Sequence, residues 1–249
     1  IIRTGGLGNV VLAQDNAGNE GLDVAQTIEV MRFNGVDYTL VWDTSGGANN
    51  AVNGVGGQAG NQLVFGMNGA DTLYGGDGSD ILVGGFGNDT VIGGAGDDFI
   101  FHNSGETGRD IIDGGDGTDY YILTGTADAE TFRIYTRAAA LAAGITNVAA
   151  NTEIVITRNG TNNASVIAQL DNIEEIKINT LNATANNGNG AVDGGATSGD
   201  TVIVIGDFTQ TSLDYSTIRV EGSAANDTID ITGLTSAHRL VFDSNGGTD

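Results

Sequence analysis

Seven nine-residue blocks between Gly57 and Ile122 repeat an aspartate at a fixed place after a glycine-rich turn. The shared pattern is Gly-Gly-x-Gly-x-Asp-x-apolar-x, and six of the seven blocks carry the sixth-place aspartate. Calcium binds six to eight oxygen atoms, which carboxylates and backbone carbonyls supply. A repeat of this period and composition is typical of calcium-binding parallel β-helices. The spacing therefore predicts calcium sites within a parallel β structure.

The blocks differ in a few places that bear on metal binding. Glycine at the first, second and fourth places permits backbone angles that a Cβ forbids and leaves carbonyl oxygens uncovered. Met67 and Glu106 replace the second-place glycine in two blocks. Gln62 replaces the aspartate of the first block, which is therefore expected to bind calcium weakly and to cap the start of the repeats. The insert from His102 to Ser104 separates the fifth block from the sixth. The blocks span residues 57–65, 66–74, 75–83, 84–92, 93–101, 105–113 and 114–122.

Two blocks form one full turn, so every second block stacks about 4.8 Å above its predecessor. The sixth-place residues then form two columns: Gln62, Asp80, Asp98, Asp119 and Asp71, Asp89, Asp110. Neighbouring carboxylates repel by ~1 kcal/mol in water and more at a lower dielectric, and a calcium ion between them reverses the sign. We predict sites between Asp71 and Asp89, Asp89 and Asp110, Asp80 and Asp98, and Asp98 and Asp119. The insert is expected to distort the two sites that span it.

The candidate ligands are the six sixth-place aspartates together with turn residues of the same blocks. They are Asp71, Asp80, Asp89, Asp98, Asp110, Asp119, Gly66, Gly75, Asp77, Gly84, Asn88, Gly93 and Asp97. The competing interpretation is ordinary turn chemistry, because aspartate and glycine are common in turns. The eighth place is always apolar, and its side chains are predicted to point inward and form a narrow core: Val64, Leu73, Leu82, Val91, Ile100, Ile112 and Tyr121.

The repeated tract resembles the RTX family, the haemolysin-type calcium-binding repeats of bacterial proteins exported by type I secretion. The resemblance covers residues 57–122, about a quarter of the chain. It implies a right-handed parallel β-roll, a calcium-binding solenoid that is disordered without calcium and folds outside the cell. The location that it implies is secreted or on the cell surface.

Composition limits the possible partners. The formal charge is −23, and residues 57–122 hold eleven acidic residues against Arg109 alone. Such a charge repels nucleic acid and anionic membranes. The chain has no cysteine and no proline, which suits a metal-stabilised secreted protein made of many paired strands. No hydrophobic run has transmembrane length, so membrane insertion is not expected.

The flanks of the tract predict further strands, which makes the expected fold class all-β. Residues 1–56 form one region, with strands at 27–33 and 36–42 joined by a hairpin at Asn34-Gly35 and a loop over 43–56. Residues 123–249 form another, interpreted as a degenerate β-solenoid or a β-sandwich-like module. Its predicted strands lie at 131–136, 153–158, 164–170, 174–179, 201–205, 217–220, 228–231 and 240–242.

The last region also holds a predicted helix at 137–143, a hairpin at Asn159-Gly160 and a loop at 186–195. Block 222–230 keeps the spacing of the repeat and loses two glycines. Asp200, Asp227 and Asp249 are possible further calcium ligands, although a solvated turn is the favoured interpretation for each.

An enzyme is not predicted. The two histidines are His102, interpreted as a surface-loop residue, and His238, which begins a strand. No nucleophile elbow, zinc-protease motif or phosphate loop is present in the sequence.

Three functions remain open from the sequence. The first is a calcium-binding structural module of a larger type I-secreted or surface protein, acting as a spacer, adhesin segment or surface-layer unit. The second is an accessory domain of a secreted enzyme, and the flanks resemble loosely those of secreted haem-peroxidase-type proteins. The third is a self-assembling filament unit. The partners expected are calcium ions, with self-association or cell-surface and matrix components as further possibilities. The chain begins at Ile1 and stops within a block-like stretch, so we expect it to be part of a longer protein with its export signal beyond Asp249.

Overall fold

The structure, a computed structural model, describes most of the chain from residue 60 onward and several strands before it. The described ranges are 60–126, 128–180, 199–213 and 217–249, with the strands β1 (Ile2–Arg3), β2 (Val10–Val11), β3 (Glu29–Phe33), β4 (Val36–Trp42) and β5 (Ala51–Asn53). In these ranges the chain is rich in strands and has one short α-helix. The fold is all-β, as the sequence predicts.

Two nine-stranded sheets hold nearly all the described strands. The first sheet contains β3, β4, β6 (Gln62–Phe65), β8 (Ile81–Val83), β10 (Phe99–His102), β12 (Tyr120–Thr124), β16 (Glu175–Asn179), β18 (Thr217–Glu221) and β20 (Arg239–Asp243), side by side in that order. The second sheet contains β5, β7 (Thr72–Asp77), β9 (Thr90–Ala95), β11 (Asp110–Asp116), β13 (Thr131–Thr136), β14 (Ile154–Arg158), β15 (Val166–Asp171), β17 (Thr201–Gly206) and β19 (Thr228–Leu234).

Along the repeats the chain passes alternately from one sheet to the other, and strands of the same sheet pair in parallel. Val64 lies opposite Leu82, and Leu73 lies opposite Val91, an offset of 18 residues in each case. This offset equals two blocks. The prediction that two blocks form one full turn is confirmed.

The core lies between the sheets, and within the repeats it consists of the eighth-place side chains. All seven are buried, with relative exposures of 0–2 %. Because side chains alternate across a strand, their neighbours at the seventh and ninth places point away from the core. The predicted inward direction of the eighth place is confirmed.

Both sheets continue beyond the last block. In the first sheet, β12 pairs in parallel with β16, β16 with β18, and β18 with β20. In the second sheet, β13 pairs in parallel with β17, and β17 with β19. Upstream of Gln62, β4 and β5 pair in parallel with β6 and β7, so the sheets do not begin at the predicted cap.

An antiparallel segment lies within the second sheet. Strand β14 pairs antiparallel with both β13 and β15, and β15 returns to parallel pairing with β11. The predicted hairpin at Asn159-Gly160 is confirmed, and Asn159 has a left-handed φ of 55°. The pairing of β3 with β4 is also antiparallel, as predicted.

The other predicted elements of the flanks agree with the structure to within a few residues, with two exceptions. Ala51–Asn53 is a strand paired with β7, so the loop predicted for 43–56 is wrong there. The strand predicted from 164 begins at Val166, because Asn163–Ser165 forms a 3₁₀ turn that Asn162 caps. The loop predicted for 186–195 lies outside the described residues.

The predicted helix is present as α1 (Arg137–Ala142), which begins where the Thr136 hydroxyl accepts a hydrogen bond from Ala139 N. Ala140 of this helix is buried with Tyr135, Ile145 and Val155. Tyr135 and its neighbour Ile134 point to opposite faces of β13, and Ile134 belongs to the core between the sheets. The helix therefore covers part of the outer face of the second sheet.

Candidate metal centre

Hydrogen bonds join the sixth-place residues of successive stacked turns. In each pair, a carboxylate oxygen accepts from the backbone N–H of the sixth-place residue one turn before it. The pairs beside the first sheet are Gln62 N to Asp80 Oδ1 (2.6 Å), Asp80 N to Asp98 Oδ1 (2.7 Å), Asp98 N to Asp119 Oδ1 (2.8 Å) and Asp119 N to Glu174 Oε2 (2.7 Å). We call this series the first ladder.

Two similar ladders lie beside the second sheet. The second ladder joins Asp71 N to Asp89 Oδ1 (2.8 Å) and Asp89 N to Asp110 Oδ1 (3.0 Å). The third ladder joins Glu130 N to Asp200 Oδ1 (2.7 Å), Asp200 N to Asp227 Oδ1 (2.8 Å) and Asp227 N to Asp249 Oδ1 (2.7 Å). All four predicted aspartate pairs are therefore neighbours in a ladder.

The first-place glycine makes room for the carboxylate of its own block. A Cβ on Gly84 would stand 2.6 Å from Asp89 Oδ2, and a Cβ on Gly75 would stand 2.5 Å from Asp80 Oδ2. The same Cβ on Gly75 would also collide with the carbonyl oxygen of Gly93 in the next stacked turn. The carboxylate oxygen and this carbonyl oxygen thus share one gap, which only glycine leaves open.

The Oδ2 atoms of Asp80, Asp89, Asp98 and Asp119 are buried and have no hydrogen-bond donor within the part of the chain that the structure describes. The four side chains are at most 1 % exposed. Burial raises the pKa of Asp80, Asp89 and Asp119 to about 6 and that of Asp98 to about 7. The backbone N–H bond to each Oδ1 lowers the pKa and offsets burial only in part.

The comparison with known families bears on the same turns. A profile of the RTX calcium-binding nonapeptide repeat, in four copies, matches residues 56–91, 75–106 and 104–128. The matched residues, 56–128, make up less than a third of the chain. RTX nonapeptide repeats bind Ca²⁺. A comparison with curated proteins finds no match to the chain.

The RTX turns of this chain suit calcium chemically. An ionised carboxylate oxygen that is buried without a donor is costly, and a bound cation removes that cost. No group of three His, Cys, Asp or Glu side chains in the described residues is arranged to hold a metal. A cation at an RTX turn would therefore be held by one or two aspartates together with backbone carbonyl oxygens, an all-oxygen set that suits calcium.

The remaining predicted ligands divide by position. The first-place glycines Gly66, Gly75, Gly84 and Gly93 are buried beside the aspartates. Asp77, Asn88 and Asp97 are exposed. Asn88 Oδ1 accepts from Arg109 N (2.8 Å) and Asp97 Oδ1 accepts from Thr118 N (2.9 Å), so these fifth-place side chains also join stacked turns. Their role as metal ligands remains a prediction.

The three-residue insert does not break the ladders. The two pairs that span it keep N–O distances of 3.0 and 2.8 Å. The extra residues form a local turn in which Glu106 Oε2 accepts from Asn103 N (2.8 Å). The hydrogen-bonded ladders are therefore continuous across the insert, and the predicted distortion of the two metal sites that span it stays a prediction.

The interpretation of His102 as a surface residue is also wrong. Its side chain is 2 % exposed, because His102 continues β10 with an inward-pointing side chain. His102 Nδ1 lies 3.3 Å from Asp110 Oδ2. Asp110 Oδ2 therefore contacts a side chain, unlike the Oδ2 atoms of Asp80, Asp89, Asp98 and Asp119, which have no donor in the described residues.

The third ladder corrects the interpretation of the late aspartates as solvated turns. Asp200 and Asp227 are each 3 % exposed, and both lie in the ladder. Asp249 is exposed, but it accepts a hydrogen bond from Asp227 N. Stacking on the preceding turn explains the burial of the first two.

Sequence analysis missed Glu130 and Glu174 because they replace aspartate. Glu130 follows Gly125 by five residues and precedes Thr131-Phe132-Arg133, which is the spacing of a block with glutamate at the sixth place. Glu174 follows a shortened turn, in which Asn172 has a left-handed φ of 49° and its carbonyl oxygen packs against Gly114. A search for either acid at the sixth place finds Glu130.

In the described residues, no helix combines the length and apolar character needed to cross a membrane.

Replacing Asp98 tests the RTX aspartates as calcium ligands. Asp98→Asn removes the charge of a buried side chain, and we expect the calcium midpoint to rise about tenfold, or ~1.4 kcal/mol. Asp207→Asn, at an exposed position that follows β17 and lies outside the repeats, is the control and should leave the midpoint unchanged. Isothermal titration with calcium measures both. Equal midpoints for the two variants would contradict the assignment.

The raised pKa values predict an inverted pH dependence in metal-free buffer. An aspartate whose pKa rises from 3.8 to 6 or 7 on folding stabilises the fold while it is protonated. That stability is fully present below about pH 4 and is lost as the pH rises to about 7. Urea unfolding followed by circular dichroism should give a higher free energy of unfolding at pH 5 than at pH 7.5.

Calcium competes with protons for the same carboxylates, so the calcium midpoint should be higher at pH 6 than at pH 8. A stability that is constant or rises over this window without metal would count against the buried carboxylates.

Proposed function

We propose that this chain is a calcium-binding structural module of a larger type I-secreted or cell-surface bacterial protein. The observation that carries the proposal is the row of buried Oδ2 atoms of Asp80, Asp89, Asp98 and Asp119, for which the described residues supply no donor. Ca²⁺ would bind there to the sixth-place aspartates and to turn carbonyl oxygens. It would neutralise the negative charge of these buried carboxylates.

Calcium binding drives folding in this proposal. The aspartates that are neighbours in a ladder lie 18 or 21 residues apart in the sequence. The unfolded chain therefore does not bring them together into a calcium site. Binding free energy then becomes folding free energy. Extracellular calcium modules bind at about 10⁻⁴ to 10⁻³ M. The RTX tract therefore stays unfolded at the much lower calcium level of the cytosol and folds outside the cell.

The proposed architecture has three regions along one right-handed β-roll. Residues 1–56 lead into it, residues 57–122 form the calcium-binding turns, and residues 123–249 continue it as a degenerate solenoid. The parallel pairing of β16, β18 and β20 on β12 supports a solenoid rather than a separate sandwich for the last region.

The role of such a module is mechanical. A long, narrow core with ladders on its sides suits a spacer, an adhesin segment or a surface-layer unit. The proposal assigns no catalytic role to His102, which is buried against Asp110.

A calcium titration followed by far-ultraviolet circular dichroism tests the proposal. We expect a cooperative gain of β signal at near-millimolar calcium, because folding and binding are coupled. Magnesium is the control and should produce no such gain, since it requires octahedral geometry and keeps its waters. A full β signal for the RTX tract in chelator, unchanged by calcium, would refute calcium-driven folding.

A further inference from the structure

Three of the four acids of the third ladder, Glu130, Asp227 and Asp249, differ from the RTX aspartates in the partners of their second oxygen. Asp200 is the exception, because burial raises its pKa to about 7, as it does for Asp98. Glu130 Oε2 accepts from Thr126 N (2.5 Å), and Glu130 Oε1 lies 3.4 Å from Arg158 Nε. Asp227 Oδ2 accepts from Ser223 N (2.6 Å). Asp249 Oδ2 accepts from the Ser244 hydroxyl. The corresponding Oδ2 atoms of Asp80, Asp89, Asp98 and Asp119 have no such donor in the described residues.

The two kinds of turn also differ in the residue at their second place. In the blocks of Asp80, Asp89, Asp98 and Asp119 it is a glycine with a left-handed φ: 114° at Gly76, 99° at Gly85, 119° at Gly94 and 103° at Gly115. In the turns of Glu130 and Asp227 it is Thr126 or Ser223, and neither is among the described residues with positive φ. A Cβ disfavours the left-handed conformation. The second-place N–H is instead donated to the acid of its own turn.

These donors stabilise the charged carboxylate, so it does not require a cation. Asp227 accepts from Asp200 N at one oxygen and from Ser223 N at the other. A carboxylate that accepts two or three backbone N–H bonds is stabilised in its charged form without a metal. Glu130 gains a guanidinium as well, and Arg158 is itself placed over the ring of Phe132, 5.7 Å from its centroid.

The strands that follow the third ladder extend the core of the repeats, and their apolar side chains are equally buried. Phe132 and Ile134 of β13 are fully buried, as are Val204 of β17 and Ile218 and Val220 of β18. Apolar burial at ~25 cal/mol per Å² stabilises these strands without any ion.

We infer that the chain has two parts, of which one needs calcium to fold and the other does not. The RTX turns around Asp80, Asp89, Asp98 and Asp119 require calcium, whereas the third ladder and its strands β13 and β17–β20 form without it. In the second part, a second-place N–H and a nearby basic or hydroxyl group take the place of the cation. This inference rests on the proposed calcium-driven folding of the RTX tract and extends it to the region beyond the match.

Hydrogen exchange measured by mass spectrometry on the whole chain tests the division. In chelator, peptides covering β17, β18 and β19 should keep their protection to within about threefold of the value in calcium. Peptides covering β6, β8 and β10 should lose more than about tenfold. Loss of protection in β17–β19 equal to that in β8 and β10 would overturn the inference while leaving calcium-driven folding intact. Full protection of all strands in chelator would refute the proposed function itself.

A pair of matched variants gives a second test. Asp227→Asn removes an acceptor that protein donors use, so exchange in β17 and β19 should quicken about tenfold both in calcium and in chelator. Asp98→Asn removes a charge that needs calcium, so its effect on β8 and β10 should appear in calcium alone. An effect of Asp227→Asn that is confined to calcium would show that the third ladder also depends on the ion, and would overturn the inference.

Discussion

Four aspartates of the RTX tract hold one carboxylate oxygen on the backbone of the preceding turn and bury the other beside a glycine, where no donor of the described chain contacts it. A buried charge in this position is unfavourable until a cation or a proton neutralises it. The raised pKa values of these side chains express the same cost. The proposed function makes the folded tract conditional on calcium because, in each of these turns, one buried oxygen has no donor in the described residues.

The rest of the fold makes this arrangement possible. First-place glycines leave the gap in which carboxylate and carbonyl oxygens meet, and inward eighth-place side chains hold the turns in register. Where Thr126 and Ser223 replace the second glycine, the same ladder continues with protein donors in place of the ion. One backbone scheme thus supports both an ion-dependent and an ion-independent segment, and the second-place residue distinguishes them.

Much of this follows from the sequence because the repeat has a fixed period. An offset of 18 residues brings Asp80 to Asp98 and Val64 to Leu82, so the aspartate pairs and the core of the repeats are predictable. The burial of His102 is not, because it depends on how the insert closes through Asn103 and Glu106. The burial of Asp200 is not predictable either, since its ladder partner Glu130 lies 70 residues away and is a glutamate. The third ladder was therefore not predicted, because its members are far apart in sequence and its first acid is a glutamate.

The most direct test is a crystal structure of the chain grown with calcium, with anomalous difference density measured at a long wavelength. The account predicts peaks beside the Oδ2 atoms of Asp80, Asp89, Asp98 and Asp119, each surrounded by carboxylate and carbonyl oxygens, and no peak beside Asp227. Absence of density at those four oxygens in the calcium-grown crystal, with backbone donors bound to them instead, would contradict the central claim.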